Sequence, residues 1–156
     1  NPNSNEYLVS LSNFYRQTLI QNENLTIPVS QELKVLRDYL YLMQCRNENS
    51  VKIHIDIDES LYTNHIPPMT LQIIVENCFK HNSMTSKNPL NIYVTNKNDS
   101  SINVCNNIQP KIEEKETTGM GMELIRKRYE LLGIKQGLEV ENKHHRFCVK
   151  LKTLQT

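Results

Sequence analysis

The sequence predicts an α/β fold, a two-layer α/β sandwich in which a mixed sheet of about five strands carries helices on one face. Helical and strand periodicities interleave along the chain in the order helix, helix, strand, helix, two strands, helix, two strands. The strand-like stretches alternate apolar and polar residues, and each helical stretch has one apolar arc able to cover the apolar side of a sheet. The chain has 156 residues, enough for a single core of useful size.

Residues 4–19 hold Leu8, Leu11, Phe14, Tyr15 and Leu19 at helical spacing, with Ser10, Ser12, Asn13 and Arg16 between them. This is an amphipathic helix in need of a partner surface. Residues 22–28 are polar and turn-like, a link from that helix to the body. Ser30 is placed as the N-cap of a second helix reaching about Arg46, with Leu33, Leu36, Leu40 and Met43 as its apolar stripe. Residues 51–57 alternate strictly and predict a strand with one buried face. His54 and Asp56 fall on its other face, where solvated side chains are expected.

Residues 66–82, Ile66-Pro-Pro-Met-Thr-Leu-Gln-Ile-Ile-Val-Glu-Asn-Cys-Phe-Lys-His-Asn82, read as one helix with two unlike faces. Pro67 and Pro68 suit its first turn, where a missing N–H costs nothing. At about 100° per residue, Leu71, Ile74, Val75, Cys78 and Phe79 gather on an arc of roughly 140°, and Glu76, Asn77, Lys80 and His81 gather opposite. The apolar arc must be buried. The polar arc sets a carboxylate, an amide, an ammonium and an imidazole close together, a set able to hold a metal-bound phosphate and to accept a proton. On residue types alone a solvated face explains the same set, and both readings stand.

Leu90, Ile92 and Val94 alternate, as do Ile102 and Val104, which gives two strands around a turn at residues 97–100. The second strand runs into Asn106 and Asn107, which by themselves could be no more than a turn. Residues 111–118 are charged and poor in apolar side chains, the composition of a mobile loop. From Gly119 and Gly121 an amphipathic helix runs through Met122, Ile125, Tyr129 and Leu132, and Gly133 can end it. A lone G-x-G is a weak signal, but glycines at a helix N-terminus let a phosphate reach free N–H groups that the helix dipole has made attractive to anions. Residues 137–142 and 146–152 close the domain as a hairpin around Lys143, His144 and His145, which are read as surface residues for want of further metal ligands nearby.

Composition excludes several functions. Eighteen Lys and Arg against 17 Asp and Glu leave a net charge of +1, so the basic excess of a nucleic-acid binder is missing. No apolar run approaches the roughly 20 residues that span a bilayer, and there is no signal-peptide pattern. Asn1 in first position leads to the expectation of a piece of a longer protein. Cys45, Cys78, Cys105 and Cys148 show no C-x-x-C spacing and fall inside predicted helices or strands. They are expected to be small buried hydrophobes in a reducing compartment, neither disulfides nor zinc ligands. There is no Walker A loop, no G-x-S-x-G and no H-E-x-x-H.

The stretch from Pro67 to Asn82 resembles the N box of sensor histidine kinases in the form used by the LytS/YesM type, roughly P-P-x-x-L-Q-x-x-V-E-N-A-x-K-H. Few unrelated proteins share so many of its positions. The resemblance implies that Asn77 holds the magnesium of Mg-ATP and that Glu76 is the catalytic residue assisting proton removal from an attacking histidine. It also implies that Lys80, His81 and Asn82 belong to the ATP site, with Lys80 and His81 near the phosphates. The helix of residues 30–46 follows the family pattern through Glu32, Leu33, Leu36, Tyr39, Leu40, Leu42 and Arg46, residues expected to pack and to do no chemistry. Asn106 stands where histidine kinases usually carry the Asp that accepts the adenine amino group, and Ile108 replaces the first Gly of D-x-G-x-G. An amide oxygen still accepts that N–H without the charge-assisted part of the bond. The Asn-Asn pair is associated with a branch of LytS-type kinases, so Asn106 is expected to keep its part in ATP binding.

Residues 111–118 stand where the family has its ATP lid. The segment from Gly119 is similar to the second glycine box, G-x-G-L-x-N-x-x-x-R-L: Gly119, Gly121 and Arg128 keep the pattern as ATP-binding residues, and Leu124 replaces its Asn. Residues 11–19 resemble the end of the second helix of the dimerisation hairpin, downstream of the phosphorylated histidine. No histidine precedes His54, so the phosphoacceptor helix is expected to lie outside this chain.

The implied architecture is the Bergerat-type ATP-binding fold shared with gyrase-type ATPases, preceded by a remnant dimerisation helix. Residues 1–24 would end the dimerisation and phosphoacceptor region, and residues 25–156 would be the catalytic domain. The implied activity is transfer of the ATP γ-phosphate to a histidine of the missing helix and then to a response regulator, of which the LytTR type is one form. The implied cofactors are ATP and Mg, and the implied setting is a homodimeric, membrane-anchored bacterial sensor with this domain in the cytoplasm. Two other classes match part of the pattern: a docking or dimerisation module with a degenerate nucleotide pocket, and another ATPase of this fold such as an anti-sigma-factor serine kinase. The helical spacing between Leu8 and Leu19 speaks against the second.

Overall fold

The computed structural model describes residues 6, 8–10, 25–111 and 120–155. In chain order it contains β1 (Ile27–Pro28), α1 (Val29–Arg46), β2 (Val51–Asp56), a 3-10 turn (Glu59–Leu61), β3 (His65–Ile66), α2 (Thr70–His81), β4 (Leu90–Asn96), β5 (Ser101–Asn107), α3 (Met120–Leu131), β6 (Leu138–Lys143) and β7 (Arg146–Lys152). Five strands form one sheet in the order β2-β4-β5-β7-β6. β2 and β4 are parallel and the other pairs antiparallel, so this is the mixed sheet that the sequence predicts. The parallel pair needs a crossover, and α2 lies in it.

The strand period of two decides what each face meets. Leu90, Ile92 and Val94 of β4, Ile102 and Val104 of β5, and Val149 and Leu151 of β7 are buried in one cluster. Leu33, Leu36 and Leu40 of α1, Leu71, Ile74, Val75 and Phe79 of α2, and Ile125 and Tyr129 of α3 belong to the same cluster. At about 1.5–3 kcal/mol for each fully buried aliphatic or aromatic side chain, this cluster outweighs any polar contact in setting the helices on the sheet. On the other face Lys52 and Asp56 of β2 are exposed. His54 is exposed there, as expected, and stacks on Tyr93 with ring centroids 4.8 Å apart.

Several local expectations are corrected. Ser30 is not the cap of α1, which starts at Val29 after Pro28 without a side-chain cap bond. Its first N–H groups find backbone partners instead, Val29 N donating to Asn64 O at 2.8 Å and Ser30 N to Tyr62 O at 3.2 Å. Ile27–Pro28 pairs with His65–Ile66 in a two-stranded sheet too short to have shown a strand period. Consequently α2 does not begin at Ile66. It begins at Thr70 behind Met69, whose φ of 68° is left-handed. Cys105 and Cys148 are joined in a disulfide, against the expectation of unpaired cysteines. They face each other directly across β5 and β7, with Cα atoms 4.1 Å apart, a juxtaposition that 43 residues of separation conceal in the sequence. Cys45 and Cys78 are free, and Cys78 is buried as expected.

Of the N-terminal helix, Glu6 and residues 8–10 are helical, and Tyr41 Oη donates to Glu6 Oε2 at 3.3 Å. Residues 11–24, which include the stretch 11–19 that carries the dimerisation-helix resemblance, lie outside the described residues. The closing hairpin turns on His144 and His145 with φ of 53° and 60°, a two-residue loop whose twist suits antiparallel strands.

Gly137 shows where packing tolerates no side chain. A Cβ there would stand 2.2 Å from the ring of Tyr129, which is fully buried and donates its hydroxyl to Lys152 O at 2.7 Å. Gly137→Ala is expected to cost about 2–3 kcal/mol by overpacking, read as a lowered midpoint of chemical denaturation.

Candidate functional site

α2 presents its polar residues on two flanks. Asn77 faces the first turn of α3, for a Cβ placed on Gly121 would stand 2.8 Å from Ile73 Cγ2 and 3.9 Å from Asn77 Nδ2. Only glycine permits that approach without moving Ile73. The amide of Asn77 therefore lies beside the end of a helix whose first N–H groups have no internal acceptors. Glu76 is turned about 100° away. It accepts from Gln72 Nε2 at 3.2 Å, and it acts on Tyr39 of α1, whose hydroxyl is pushed far above its usual range by burial and then by the Glu76 charge. Lys80 is exposed and His81 half-buried in the last turn of the same helix.

At the C-terminal end of α2, Asn106 is buried with its Oδ1 beside Cys78 Sγ at 3.4 Å, while its Nδ2 donates to Asn107 O at 2.8 Å. Burial pushes the Cys78 thiol up to about 12, so it remains an S–H donor. The amide oxygen of Asn106 is thus held as an acceptor. Asn82 spends both amide atoms on the fold: Nδ2 donates to Cys78 O at 2.9 Å, and Oδ1 accepts from Gln109 N at 2.8 Å. Asn107 likewise accepts from Asn91 N at 2.7 Å, so the Asn-Asn pair is more than a turn. Leu124, where the family has Asn, is partly exposed on α3, on a stripe that continues to Leu131.

Gly119 and residues 112–118 lie outside the described residues. Arg128 does not join Asn77 and Gly121. Its Nη1 donates to Pro68 O, at the opposite end of α2 from Asn106. Beside it is a residue that sequence reasoning assigned only to packing. Glu32 of α1 is 2% exposed, and its carboxylate accepts from Met69 N at 3.2 Å and Leu71 N at 3.0 Å. A charge falling on the buried arc of an otherwise apolar stripe, three residues after Val29 and four before Leu36, was the signal available. Gln72 was a second omission. It is buried on α2, and its Oε1 has no hydrogen-bond partner among the described residues.

Burial raises Glu32 from the ordinary 4.5 to about 7, against the opposing pull of the Leu71 and Met69 N–H groups and of Arg128. The folded chain therefore holds a proton that the unfolded chain releases, and stability falls as pH rises from 4.5 through 7. The contribution is about 3 kcal/mol, fully present below pH 4.5 and lost above pH 7. Denaturation series at steps between pH 4.5 and 8 should show this slope, and Glu32→Gln should flatten it.

Among the described residues no group of three or more His, Cys, Asp or Glu could hold a metal ion, and no helix is long and apolar enough to cross a membrane. What the geometry offers is an amide oxygen, the open end of a helix and a buried acceptor two elements away.

The histidine kinase family model matches residues 1–51. Sensor protein LytS of Staphylococcus epidermidis (strain ATCC 12228) is 34% identical over 140 residues, covering 81% of this chain and 24% of that protein. The chain belongs to the LytS-type sensor histidine kinases. LytS of Bacillus subtilis (strain 168) is 42% identical over 74 residues, covering 47% of this chain and 12% of the relative. This LytS-type chain thus spans about an eighth to a quarter of the length of these curated relatives. Its fold is that of the catalytic domain of histidine kinase ThkA, with a TM-score of 0.53 at 17% identity, covering 83% of this chain and 95% of the other.

Proposed function

We propose that residues 25–156 are the ATP-binding catalytic domain of a LytS-type sensor histidine kinase, and that residues 1–24 end its dimerisation region. The observation that carries this reading is the placement of the Asn77 amide beside the first turn of α3, where Gly121 packs on Ile73 with no room for a side chain. An oxygen donor of this sort suits magnesium, which takes oxygen ligands and is commonly held by one or two protein groups together with substrate phosphates. Mg-ATP, when bound, supplies the phosphoryl group, and its metal offsets charge on the phosphates.

In this reading Asn77 holds the metal, and the first-turn N–H groups at Gly121, with Gly119, receive phosphate oxygens. Lys80 adds positive charge, and His81 ring nitrogens, in the last turn of α2. Asn106 accepts the adenine amino group through Oδ1, held in that sense by the bond from its Nδ2 to Asn107 O. Glu76, on the α1 flank, takes the proton of the attacking histidine. Asn82 and Arg128 serve the site by holding α2 in place. The histidine belongs to the dimerisation helix outside this chain. The phosphate then passes to a response regulator, of which a LytTR type is one form, and the whole protein is a membrane-anchored homodimer with this domain in the cytoplasm.

Calorimetric titration of the chain with a non-hydrolysable ATP analogue, with and without magnesium, tests the reading. Magnesium-dependent binding is expected. A folded sample with no binding up to millimolar analogue would favour the docking-module reading, which draws on one specific observation: Leu124 places an apolar side chain on the surface of α3 where the family has a polar one.

A further inference from the structure

The turn that leads into α2 is held from three sides. Met69, the residue before the helix, is left-handed and supplies no side-chain acceptor to the helix N–H groups. A left-handed methionine is disfavoured and persists only where its surroundings hold it. Glu32 of α1 provides both the hold and the acceptors, binding the Met69 and Leu71 N–H groups with its two oxygens. Its carboxylate also sits at the positive end of the α2 dipole. From the other side Arg128 of α3 donates to Pro68 O, and within the turn Thr70 Oγ1 donates to Pro67 O at 2.7 Å. The turn is continuous with β3, which pairs with β1 immediately before α1 begins. All three helices are therefore tied at one point.

Asn77 lies six residues beyond Leu71 on the same rigid helix, about 9 Å along its axis. α2 clears α3 by little there, since Ile73 Cγ2 stands 2.8 Å, and the Asn77 amide 3.9 Å, from where a Gly121 Cβ would lie. A rotation or slide of the α2 entrance must appear at that contact. We propose that Glu32 is a positioning residue, which by accepting the Met69 and Leu71 N–H groups opposite Arg128 sets the placement of α2 and hence of Asn77 against Gly121. The charged and titratable groups that act on Glu32 are Arg128 and Tyr129, both on α3. The consequence for nucleotide rests on the proposed kinase function, while the positioning itself does not.

Glu32→Gln tests it, because glutamine keeps the volume and one acceptor but turns an NH₂ toward the second N–H. In amide-resolved hydrogen exchange on the chain, Met69 and Leu71 are expected to exchange at least about tenfold faster, with Val94 and Val104 of the central strands unchanged. The Gly121 backbone and Asn77 side-chain amide resonances are expected to shift, and magnesium-dependent affinity for the ATP analogue to fall about tenfold. A purely structural role would raise exchange throughout the domain and leave the Asn77 and Gly121 resonances of the folded variant in place, and that result would overturn the proposal. If Glu32→Gln gives no cooperative melt, Glu32→Asp, which keeps the charge on a shorter reach, is read by the same criteria. Should the unmodified chain bind no nucleotide, the kinase reading fails, and the Asn77 and Gly121 resonances alone decide the positioning role.

Discussion

Replacing Asn77 by alanine is expected to weaken binding of a magnesium-loaded ATP analogue by at least about a hundredfold, roughly 3 kcal/mol, while leaving the domain folded. The two halves of this expectation have separate origins. Asn77 makes no side-chain hydrogen bond among the described residues, and it is only half-buried, so the fold loses little with its amide. Alanine is also the better helix former, so the change in stability should stay within about 0.5 kcal/mol. Nδ2 and Oδ1 lie 3.9 and 4.0 Å from where a Gly121 Cβ would stand, so under the proposed function the amide is left for a ligand. Calorimetry of the variant gives the affinity, and a thermal melt gives the control. Equal affinity in a variant with an unchanged melt would remove Asn77 from the site.

The contrast between Asn77 and Arg128 shows what the sequence disclosed and what it did not. Helical periodicity placed Asn77 on the polar arc of its helix, and the motif pattern put both residues in the nucleotide site. Helical phase is a local property and was legible: the buried arc of α2 is the one predicted, and so is the alternation along β4 and β5. Which neighbour a flank meets is a property of packing, and one-dimensional spacing does not carry it. Thus Glu76 and Asn77, adjacent in sequence, look toward different helices, and Arg128 reaches the α2 entrance.

The same limit explains the residues that were misread. Glu32 was visible as a charge in an apolar stripe, but its meaning depends on a turn 37 residues away, whose left-handed Met69 no propensity would have suggested. Cys105 and Cys148 became partners only once the register of β5 and β7 was fixed. Ser30 looked like a cap because serine commonly is one, and the loop at residues 62–64 satisfied those N–H groups first. Asn106 was a substitution of uncertain effect in the sequence. In the structure its nitrogen donates to Asn107 O and its oxygen accepts from Cys78 Sγ, partners that depend on the register of β5 against α2.

Glu76→Gln, made in the protein with its phosphoacceptor helix, is expected to slow histidine phosphorylation by about 10²- to 10⁴-fold while changing nucleotide affinity less than twofold. Glutamine retains the oxygen that accepts from Gln72 Nε2, so the side chain should keep its place and lose only its ability to take a proton. Because Glu76 points to the α1 flank and Asn77 to α3, the two substitutions should separate cleanly, one acting on transfer and the other on binding. Rapid-quench phosphorylation at saturating Mg-ATP, with affinity measured in parallel, distinguishes the cases. An unaltered rate would take the base assignment away from Glu76. A loss of affinity equal to the loss of rate would mean that Glu76 and Asn77 serve one site, and that the split of α2 into two flanks has no counterpart in the reaction.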